Sequence, residues 1–306
     1  MELKNTKNKR RKNYKPIIKR NIMAWLIMIP SLLLFLFFVW LPIGKNIVLS
    51  FFNNYKFTEF VGFENYREIF KDYSFLAALK NTFVYILWSI IIGYFIPIII
   101  GFLLSECVHA KGVFRVLIYL PCMISGMAVS FLYLNIYGDE TYSILNVIIR
   151  LFGGEAHAFK GNPNLIIPLI VIAMTWRGAG GTALIYLSNF QTIDPSLYEA
   201  SRIDGVRPIK RFFHITMPIM KTTFMTLLIL QIISVFQVFY EPLVIGEWGG
   251  PSDASMSLML LSYKFAMKDL EQAKGAAVSV VLSIIIIIFT SIYFTINKIV
   301  NKEEDK

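Results

Sequence analysis

The stretch DPSLYEASRIDGVRPIKRFFHITMP, residues 194–218, concentrates polar and charged side chains between two long apolar runs. Its residue order predicts a short helix, a glycine turn and a second helix. The first helix has two possible starts: Asp194 as the N-cap followed by proline, or Ser196 in a capping box with Glu199. Gly205 supplies a left-handed stop.

Charged residues also lie within the apolar runs themselves. Unpaired charge in hydrocarbon costs free energy, so Arg177 and Glu241 are functional candidates by default. Arg177 follows Trp176 and precedes Gly-Ala-Gly-Gly, which predicts a helix that is either loosened or closely packed there. Glu241 follows Gln237 and Tyr240 in the fifth run. One interpretation places these residues on a functional path; the other places Arg177 and Glu241 near the outer interface, paired with water or each other.

Signatures of enzymatic chemistry are missing from the sequence. It contains no GxxxxGK[ST], HExxH or GxSxG pattern and no paired cysteines at metal-ligand spacing. The three histidines, His109, His157 and His214, are far apart, and the cysteines Cys107 and Cys122 favour neither a disulfide nor catalysis. We therefore predict no catalytic residue, no metal and no cofactor in this chain.

The elements that position these residues are apolar runs long enough to cross a membrane. The chain is 56% hydrophobic, has 26 Phe among 306 residues and a mean hydropathy of +0.59, all typical of a polytopic membrane protein. Each run is near the roughly 20 residues that a spanning helix needs. The predicted spans are 22–43, 82–104, 114–136, 165–187, 222–245 and 276–296.

The distribution of charge predicts the orientation of these spans. Residues 1–21 alone carry nine Lys and Arg. With this tail in the cytoplasm, the inner segments hold 19 of the 30 Lys and Arg and the outer segments ten, while Arg177 lies inside a span. This asymmetry follows the positive-inside rule and places residues 194–218 and both termini in the cytoplasm. It also accounts for the net charge of +10 without nucleic-acid binding.

The 194–218 stretch resembles the EAA loop of permease subunits of binding-protein-dependent ABC importers. The match consists of Glu199-Ala200-Ser201, then Gly205, then Ile-Thr-Met-Pro ending at Pro218; serine and methionine replace the usual alanine and leucine. The resemblance implies a cytoplasmic coupling helix that docks on a separate ATP-hydrolysing subunit. Glu199 would then pair with a basic residue of that subunit, a role that a capping box does not exclude.

Further stretches resemble landmarks of carbohydrate-type permeases such as those for maltose and glycerol phosphate. They are Val61–Arg67, Gly112–Arg115 with Tyr119–Pro121, and Trp248–Pro251, so the resemblance covers about 30–294. It implies a sugar or oligosaccharide as substrate. Rings and polar groups suit the faces and hydroxyls of sugars; the expected path residues are Trp176, Arg177, Gln237, Tyr240 and Glu241.

We therefore predict an all-α polytopic membrane protein with six transmembrane helices and a cytoplasmic coupling loop. Its expected divisions are a basic tail at 1–21, a transmembrane domain at 22–297 containing the loop 194–218, and a tail at 298–306. The expected setting is the bacterial plasma membrane, with a second homologous permease, two ATP-binding subunits and an extracytoplasmic solute-binding protein. The alternatives are an importer of another solute, such as a glycerol phosphodiester, and an ion-coupled carrier that uses Arg177 and Glu241 as a relay.

Overall fold

The computed structural model describes residues 15–107 and 109–304, with side-chain environments for 23–107 and 109–298. The chain divides into two compact units, one ending at Val48 and the other beginning at Leu49. Across the described residues the regular structure is helical, and extended pairing is limited to one antiparallel bridge between Phe52 and Phe60. The prediction of an all-α protein is confirmed.

The helices follow one another along the chain, with longer connections at 50–63 and 152–165. The α-helices are Lys15–Phe35, Leu41–Leu49, Glu64–Ile69, Tyr73–Trp88, Phe95–Glu106, Lys111–Tyr119, Gly126–Ile136, Ile144–Leu151, Ile166–Phe190, Pro195–Ile203, Pro208–Arg211, Met217–Ile219, Lys221–Phe236, Tyr240–Val244, Leu258–Tyr263 and Gln272–Glu304. Wider π-helical turns lie at Leu36–Trp40, Ser89–Tyr94, Phe212–Thr216 and Lys264–Lys268, and 3₁₀ turns at Leu120–Met123 and Pro251–Asp253. The first and last helices thus extend into both predicted tails, while 1–14 and 305–306 lie outside the described residues.

Five stretches of helix are long and apolar enough to cross a membrane. We number them with the sequence prediction: span one is Met23–Leu49, span two Tyr73–Glu106, span four Ile166–Phe190, span five Lys221–Val244 and span six Gln272–Lys298. Span three consists of two limbs, Lys111–Met123 and Gly126–Ile136, bent by 93° against each other. The described part of the chain has six candidate spans when this bent pair counts as one.

The predicted third span, 114–136, is present but is broken into two helices. Pro121 lacks an amide hydrogen and lies in a 3₁₀ turn, and Ile124 is extended at φ −80° and ψ 137°. Ser125 then caps a new helix, because its hydroxyl accepts a hydrogen bond from the Ala128 N–H at 3.3 Å. Hydropathy averages apolar character over a segment and therefore does not detect a break between two apolar helices.

Span two begins nine residues before the predicted start at residue 82. Asp72 caps it by accepting from the Ser74 N–H at 2.7 Å. One side of the first turns is buried at Phe75 and Ala78, and the buried Asn81 amide donates to the carbonyls of Asp253 and Met256 at 2.7 and 3.2 Å. These polar residues lower the hydropathy of the segment although they are satisfied inside the protein.

Span four is the central helix of the second unit. Its small residues allow close approach: a methyl group on Gly101 of span two would lie 3.0 Å from the Ala183 carbonyl oxygen, and one on Gly180 would overlap the Ile118 carbonyl of span three. A second apolar cluster covers the end where span four meets the 194–218 loop. It comprises Ile98, Tyr186, Phe190, Ile193, Met220 and Phe224.

Candidate functional site

The 194–218 loop begins with the first of the two predicted caps. Asp194 is the N-cap, Pro195 occupies the first helical position, and the Asp194 carboxylate accepts from the Ser196 N–H at 2.9 Å. This backbone hydrogen bond lowers the pKa of Asp194. Ser196 is inside the helix, so Glu199 is not needed to complete a capping box, and its side chain is exposed.

Gly205 ends this helix in the conformation that the sequence predicts. Its φ is +69°, its N–H donates to the Arg202 carbonyl at 3.0 Å, and the Val206 N–H donates to the Ser201 carbonyl at 2.9 Å. A methyl group at Gly205 would meet no atom within 4 Å. Glycine is therefore favoured by backbone conformation and not by space.

The helix Pro195–Ile203 has one face packed on the spans and one face open. Ser201 is 7% exposed and donates its hydroxyl to the Tyr198 carbonyl at 2.8 Å, while the Tyr198 hydroxyl shares a hydrogen bond with Thr216 at 2.8 Å. Ala200 is exposed, as is Ile203 at 86%. Ile203 was not among the predicted site residues. The sequence nevertheless places this apolar residue at the end of a polar helix, directly before Asp-Gly, and that pattern could have indicated an exposed contact residue.

Pro218 lies inside a helical turn and does not mark its boundary. The π-helical turn Phe212–Thr216 continues into the helix Met217–Ile219, and span five starts after Met220. Pro218 is exposed, whereas Met220 is buried in the second apolar cluster. The helical segment thus continues to Met220, two residues beyond Pro218, because proline is compatible with the first turn of a helix.

The charged residues inside the spans form a second region. Span four is continuous, and Arg177 lies near its middle. Of the two alternatives for the following glycines, close packing is the observed one: Gly180 abuts Ile118, while Cys122 donates its thiol to the Arg177 carbonyl at 2.9 Å and accepts from the Gly181 N–H at 3.1 Å.

Two interrupted helices meet Arg177 at this level. Span three restarts at Gly126, and span five stops at Phe236 and resumes at Tyr240. A methyl group on Gly126 would lie 3.1 Å from the Tyr240 ring and 3.6 Å from Arg177 Cζ. Lipid does not tolerate irregular backbone, which occurs at membrane depth only inside protein or beside a cavity. The breaks therefore mark a protein-enclosed or water-lined region.

Glu241 completes what we call the mid-span cluster, which consists of Gly126, Arg177, Tyr240 and Glu241. The Glu241 residue is 3% exposed, and its Oε1 lies 3.8 Å from Arg177 Nη2. Within the described residues, neither Glu241 Oε1 nor Arg177 Nε has a hydrogen-bond partner. The ion pair is thus loose and leaves hydrogen-bonding capacity unused in a site where each unmet bond costs free energy.

The two remaining predicted path residues lie beside this cluster. Trp176 is 42% exposed and packs edge-on against Tyr133, with ring centroids 5.8 Å apart. Gln237 is exposed at the break of span five and donates to the Ile233 carbonyl at 3.3 Å. The structure therefore brings together Arg177, Tyr240 and Glu241 and leaves the other two at its margin.

An aromatic series extends from this cluster and was not predicted. The ring of Phe239 lies 5.3 Å from Tyr240 and 5.0 Å from Tyr263, and Tyr263 stacks on Trp248 at 6.1 Å. The ammonium of Lys268 lies 4.7 Å from the Trp248 ring. The sequence marked Trp248 only as part of a glycine-rich turn, because the contact with Tyr263 depends on the fold.

A metal centre finds no support in the described part of the chain, where no three His, Cys, Asp or Glu side chains come together as possible ligands. Cys107 and Cys122 are free cysteines in this structure.

Comparison with known proteins assigns this architecture to a family. Residues 93–305, more than two thirds of the chain, match the family described as binding-protein-dependent transport system inner membrane component. The chain is 33% identical over 274 residues to the probable ABC transporter permease protein YurN of Bacillus subtilis (strain 168), covering 87% of this chain and 93% of the relative. It is 29% identical to the arabinooligosaccharides transport system permease protein AraP of the same strain, covering 88% of this chain and 86% of that protein.

Solved structures agree with the fold. A chain from the crystal structure of a bacterial ABC transporter that imports the acidic polysaccharide alginate superposes with a TM-score of 0.83 at 20% identity, covering 94% of this chain and 99% of that chain. The family and the relatives confirm the prediction of an ABC importer permease, a transport subunit and not an enzyme. The chain belongs to the inner membrane components of binding-protein-dependent transport systems.

Proposed function

We propose that this permease imports a sugar or oligosaccharide and that the 194–218 loop is its coupling loop on the cytoplasmic side. The coupling role of the loop rests on the open face of the helix Pro195–Ile203. There Glu199, Ala200 and Ile203 are exposed, while Ser201 packs inward. A carboxylate, a small residue and an apolar residue on one short, capped helix suit insertion into a cleft of an ATP-binding subunit.

The proposed coupling residues have distinct tasks. Glu199 supplies a charge for a basic residue of the ATP-binding subunit, and Ala200 permits close approach. Ser201 is buried on the inner side of the helix, where its hydroxyl donates to the Tyr198 carbonyl of the same helix, and the Tyr198 hydroxyl bonds to Thr216. Gly205 turns the chain, and Pro218 sits in the helical turn that leads into span five.

The substrate path is proposed to pass the mid-span cluster. Tyr240 is 46% exposed beside Arg177, and Gln237 is exposed at the adjacent break of span five. Aromatic rings match the apolar faces of pyranoses, and guanidinium, amide and carboxylate groups match their hydroxyls. Trp176, also partly exposed, extends the aromatic surface. The names of relatives that transport arabinooligosaccharides and lactose support this substrate class.

The proposed assembly contains a second homologous permease, two ATP-binding subunits and an extracytoplasmic solute-binding protein. ATP binding draws the ATP-binding subunits together, the coupling helices move with them, and the spans open toward the loaded binding protein; hydrolysis resets the cycle. A relative named as a permease for sn-glycerol-3-phosphate keeps a phosphorylated solute as the second candidate substrate. Arg177 is the residue that favours it, since a guanidinium recognises phosphate.

The orientation can be tested by cysteine labelling in intact cells, starting from a chain in which Cys107 and Cys122 are alanine. Phe152, 88% exposed between spans three and four, should react as a cysteine with a membrane-impermeant maleimide. A cysteine at Arg207 should react only after lysis. Asn65 is unsuitable as an outer probe despite its place in the sequence, because it is 7% exposed and donates to the carbonyls of Ser50 and Phe52. External labelling at Arg207 would reverse the proposed orientation.

The function itself can be tested in proteoliposomes that contain the assembled complex. Uptake of radiolabelled arabinotriose, lactose, alginate pentasaccharide and sn-glycerol 3-phosphate would be compared with and without internal ATP. We expect ATP-dependent uptake of a carbohydrate. Ala200→Asp should abolish this uptake by blocking the docking face, whereas Lys210→Ala, on the exposed side of the loop, should retain it. ATP-dependent uptake of glycerol phosphate alone would refute the sugar assignment.

A further inference from the structure

Arg211 is a buried cation at the base of the 194–218 loop. The residue is 3% exposed, whereas the other basic residues of the loop, Arg202, Arg207 and Lys210, are exposed. Sequence alone groups all four as one solvated, positively charged segment. Burial of a guanidinium is unfavourable unless other groups compensate the lost hydration, so the partners of Arg211 define its role.

The ionic partner of Arg211 is the last residue of span two. Arg211 Nη2 donates to both carboxylate oxygens of Glu106, at 2.9 and 2.8 Å. These residues are 105 positions apart in the chain, and Glu106 ends the helix Phe95–Glu106. Charge-assisted hydrogen bonds of this length are stronger than neutral ones, and the pair is partly shielded from water because the Glu106 side chain is 32% exposed. The bond therefore ties the loop to span two directly.

A third segment joins this pair. The Arg211 guanidinium lies 5.6 Å from the ring centroid of Tyr198, which belongs to the exposed helix Pro195–Ile203. The Tyr198 hydroxyl is bonded to Thr216 on the far side of the turn. Arg211 thus contacts both the helix that carries Glu199 and the end of span two.

We propose that Glu106, Arg211 and Tyr198 form a strut that makes the helix Pro195–Ile203 and span two move as one body, with Arg211 as the positioning residue. The proposal rests on the proposed role of the 194–218 loop in coupling. Without the strut, this helix would join the spans through the connection 191–194, the glycine turn, the hydrogen bond of Tyr198 and the apolar packing of Tyr198 on the second apolar cluster. Apolar contacts are not directional, so these links would hold the helix less firmly against a displacement that the strut passes to the cytoplasmic half of span two.

The strut predicts a fixed distance between two points on the elements it joins. Nitroxide labels at Leu103 on span two, 60% exposed, and at Asp204 after the helix are both accessible. In the complete complex, with Cys107 and Cys122 replaced by alanine, electron–electron resonance should give the same label distance without nucleotide and after trapping with ADP and vanadate. In Glu106→Ala the distance should differ between the two states.

Matched variants separate loss of the strut from general damage. Glu106→Asp keeps the charge and should preserve the fixed distance, Glu106→Gln should give an intermediate result, and Lys210→Ala should behave as the parent. Because Glu106 is partly exposed, its removal should leave the ATP-binding subunits bound. A label distance that stays fixed through trapping in both Glu106→Ala and Glu106→Gln would overturn the strut. Absence of bound ATP-binding subunits in the parent complex would instead refute the proposed coupling function.

Discussion

The 194–218 loop and the mid-span cluster are built in opposite ways. In the loop, the cap, the turn and the exposed carboxylate lie within twelve residues, and neighbours along the chain satisfy the Asp194 and Gly205 positions. In the cluster, Gly126, Arg177 and Glu241 come from three spans. The first region owes its local shape to its own sequence, and the second exists only after three spans have packed.

The two regions also differ in how closely their charged groups pair, although the Nε atom of each arginine lacks a hydrogen-bond partner among the described residues. Arg211 at the base of the loop makes two short hydrogen bonds to Glu106, while Arg177 approaches Glu241 no closer than 3.8 Å. A short, charge-assisted pair holds its surroundings in one arrangement, whereas a loose pair leaves a site able to accept another partner. This contrast is consistent with the proposed coupling role of the loop and the proposed substrate path at the cluster.

The largest expected effect would break the cluster by separating the helices that frame it. In Gly180→Ala, the added methyl group would overlap the carbonyl of Ile118, and a backbone atom cannot rotate away as a side chain can. We expect a loss of about 3 kcal/mol in stability, at the upper end for overpacking. Gly181→Ala is the matched control, since its methyl group would lie 3.5 Å from Cys122 Sγ, an ordinary contact. Thermal unfolding in detergent checks both; equal midpoints would show that the helices separate easily.

The second prediction separates the charge of the cluster from its shape. Arg177→Met leaves the Glu241 carboxylate buried without its counter-charge, which should cost about 2 kcal/mol, less than for a fully buried pair because Arg177 is 34% exposed. Adding Glu241→Gln should recover most of that stability, since the uncompensated charge is gone. Uptake by the double variant should nevertheless remain low. Normal uptake by the double variant would show that the pair only holds helices together.

A third prediction concerns the polar path beside the cluster. Gln237 and Tyr240 are exposed, so replacing either side chain by alanine removes little buried contact. Each variant should therefore preserve assembly of the complex and its basal ATP hydrolysis. Uptake in proteoliposomes should fall roughly tenfold, as expected when about 1.4 kcal/mol of binding is removed. Ser188→Ala, which removes an exposed hydroxyl farther along span four, is the control. Unchanged uptake in both path variants would place the substrate elsewhere.

Prediction from sequence succeeded where the determining contacts are local. Asp194 and the proline after it predicted the start of the helix, and Gly205 predicted its end. Both predictions succeeded because capping and positive φ depend on neighbours in the chain. The limits of this reasoning appear at Arg211. In the sequence, Arg211 is one of several basic residues in the loop, and nothing distinguishes it from its exposed neighbours. Its burial depends on the contact with Glu106, which lies 105 residues away in the chain. Local patterns carry no record of that contact.

The cluster shows the same limit on a larger scale. Arg177 and Glu241 were identified individually, because a charge in an apolar run is conspicuous. Their pairing was one of two alternatives, and the role of Gly126 was not recognised at all. Hydropathy merged the two limbs of span three into one run, so the break beside Arg177 was invisible. The aromatic series through Phe239 and Tyr263 was missed for the same reason.

A fourth prediction sharpens the claim that the loop is locally determined. Gly205 has open space around it, so only its positive φ should matter. Gly205→Val should cost about 1 kcal/mol or more, because a β-branched residue resists positive φ, and should release the ATP-binding subunits during purification. Gly205→Asn should retain them, since asparagine tolerates the left-handed region. Equal retention by both variants would show that the turn is not required for docking.

The smallest expected effect concerns the cap, and its sign follows from the Asp194 hydrogen bond. The backbone N–H of Ser196 stabilises the ionised carboxylate and lowers the pKa of Asp194 in the folded state. A group with a lowered pKa contributes stability above its unfolded pKa and loses that contribution as the pH falls through the folded value. Amide hydrogen exchange at Ser196 and Leu197, corrected for intrinsic pH dependence, should therefore show less protection in acid than at neutral pH. Asp194→Asn keeps a capping oxygen without titrating, so its protection should not change over this range. The same acid dependence in both proteins would place the titrating group outside the cap.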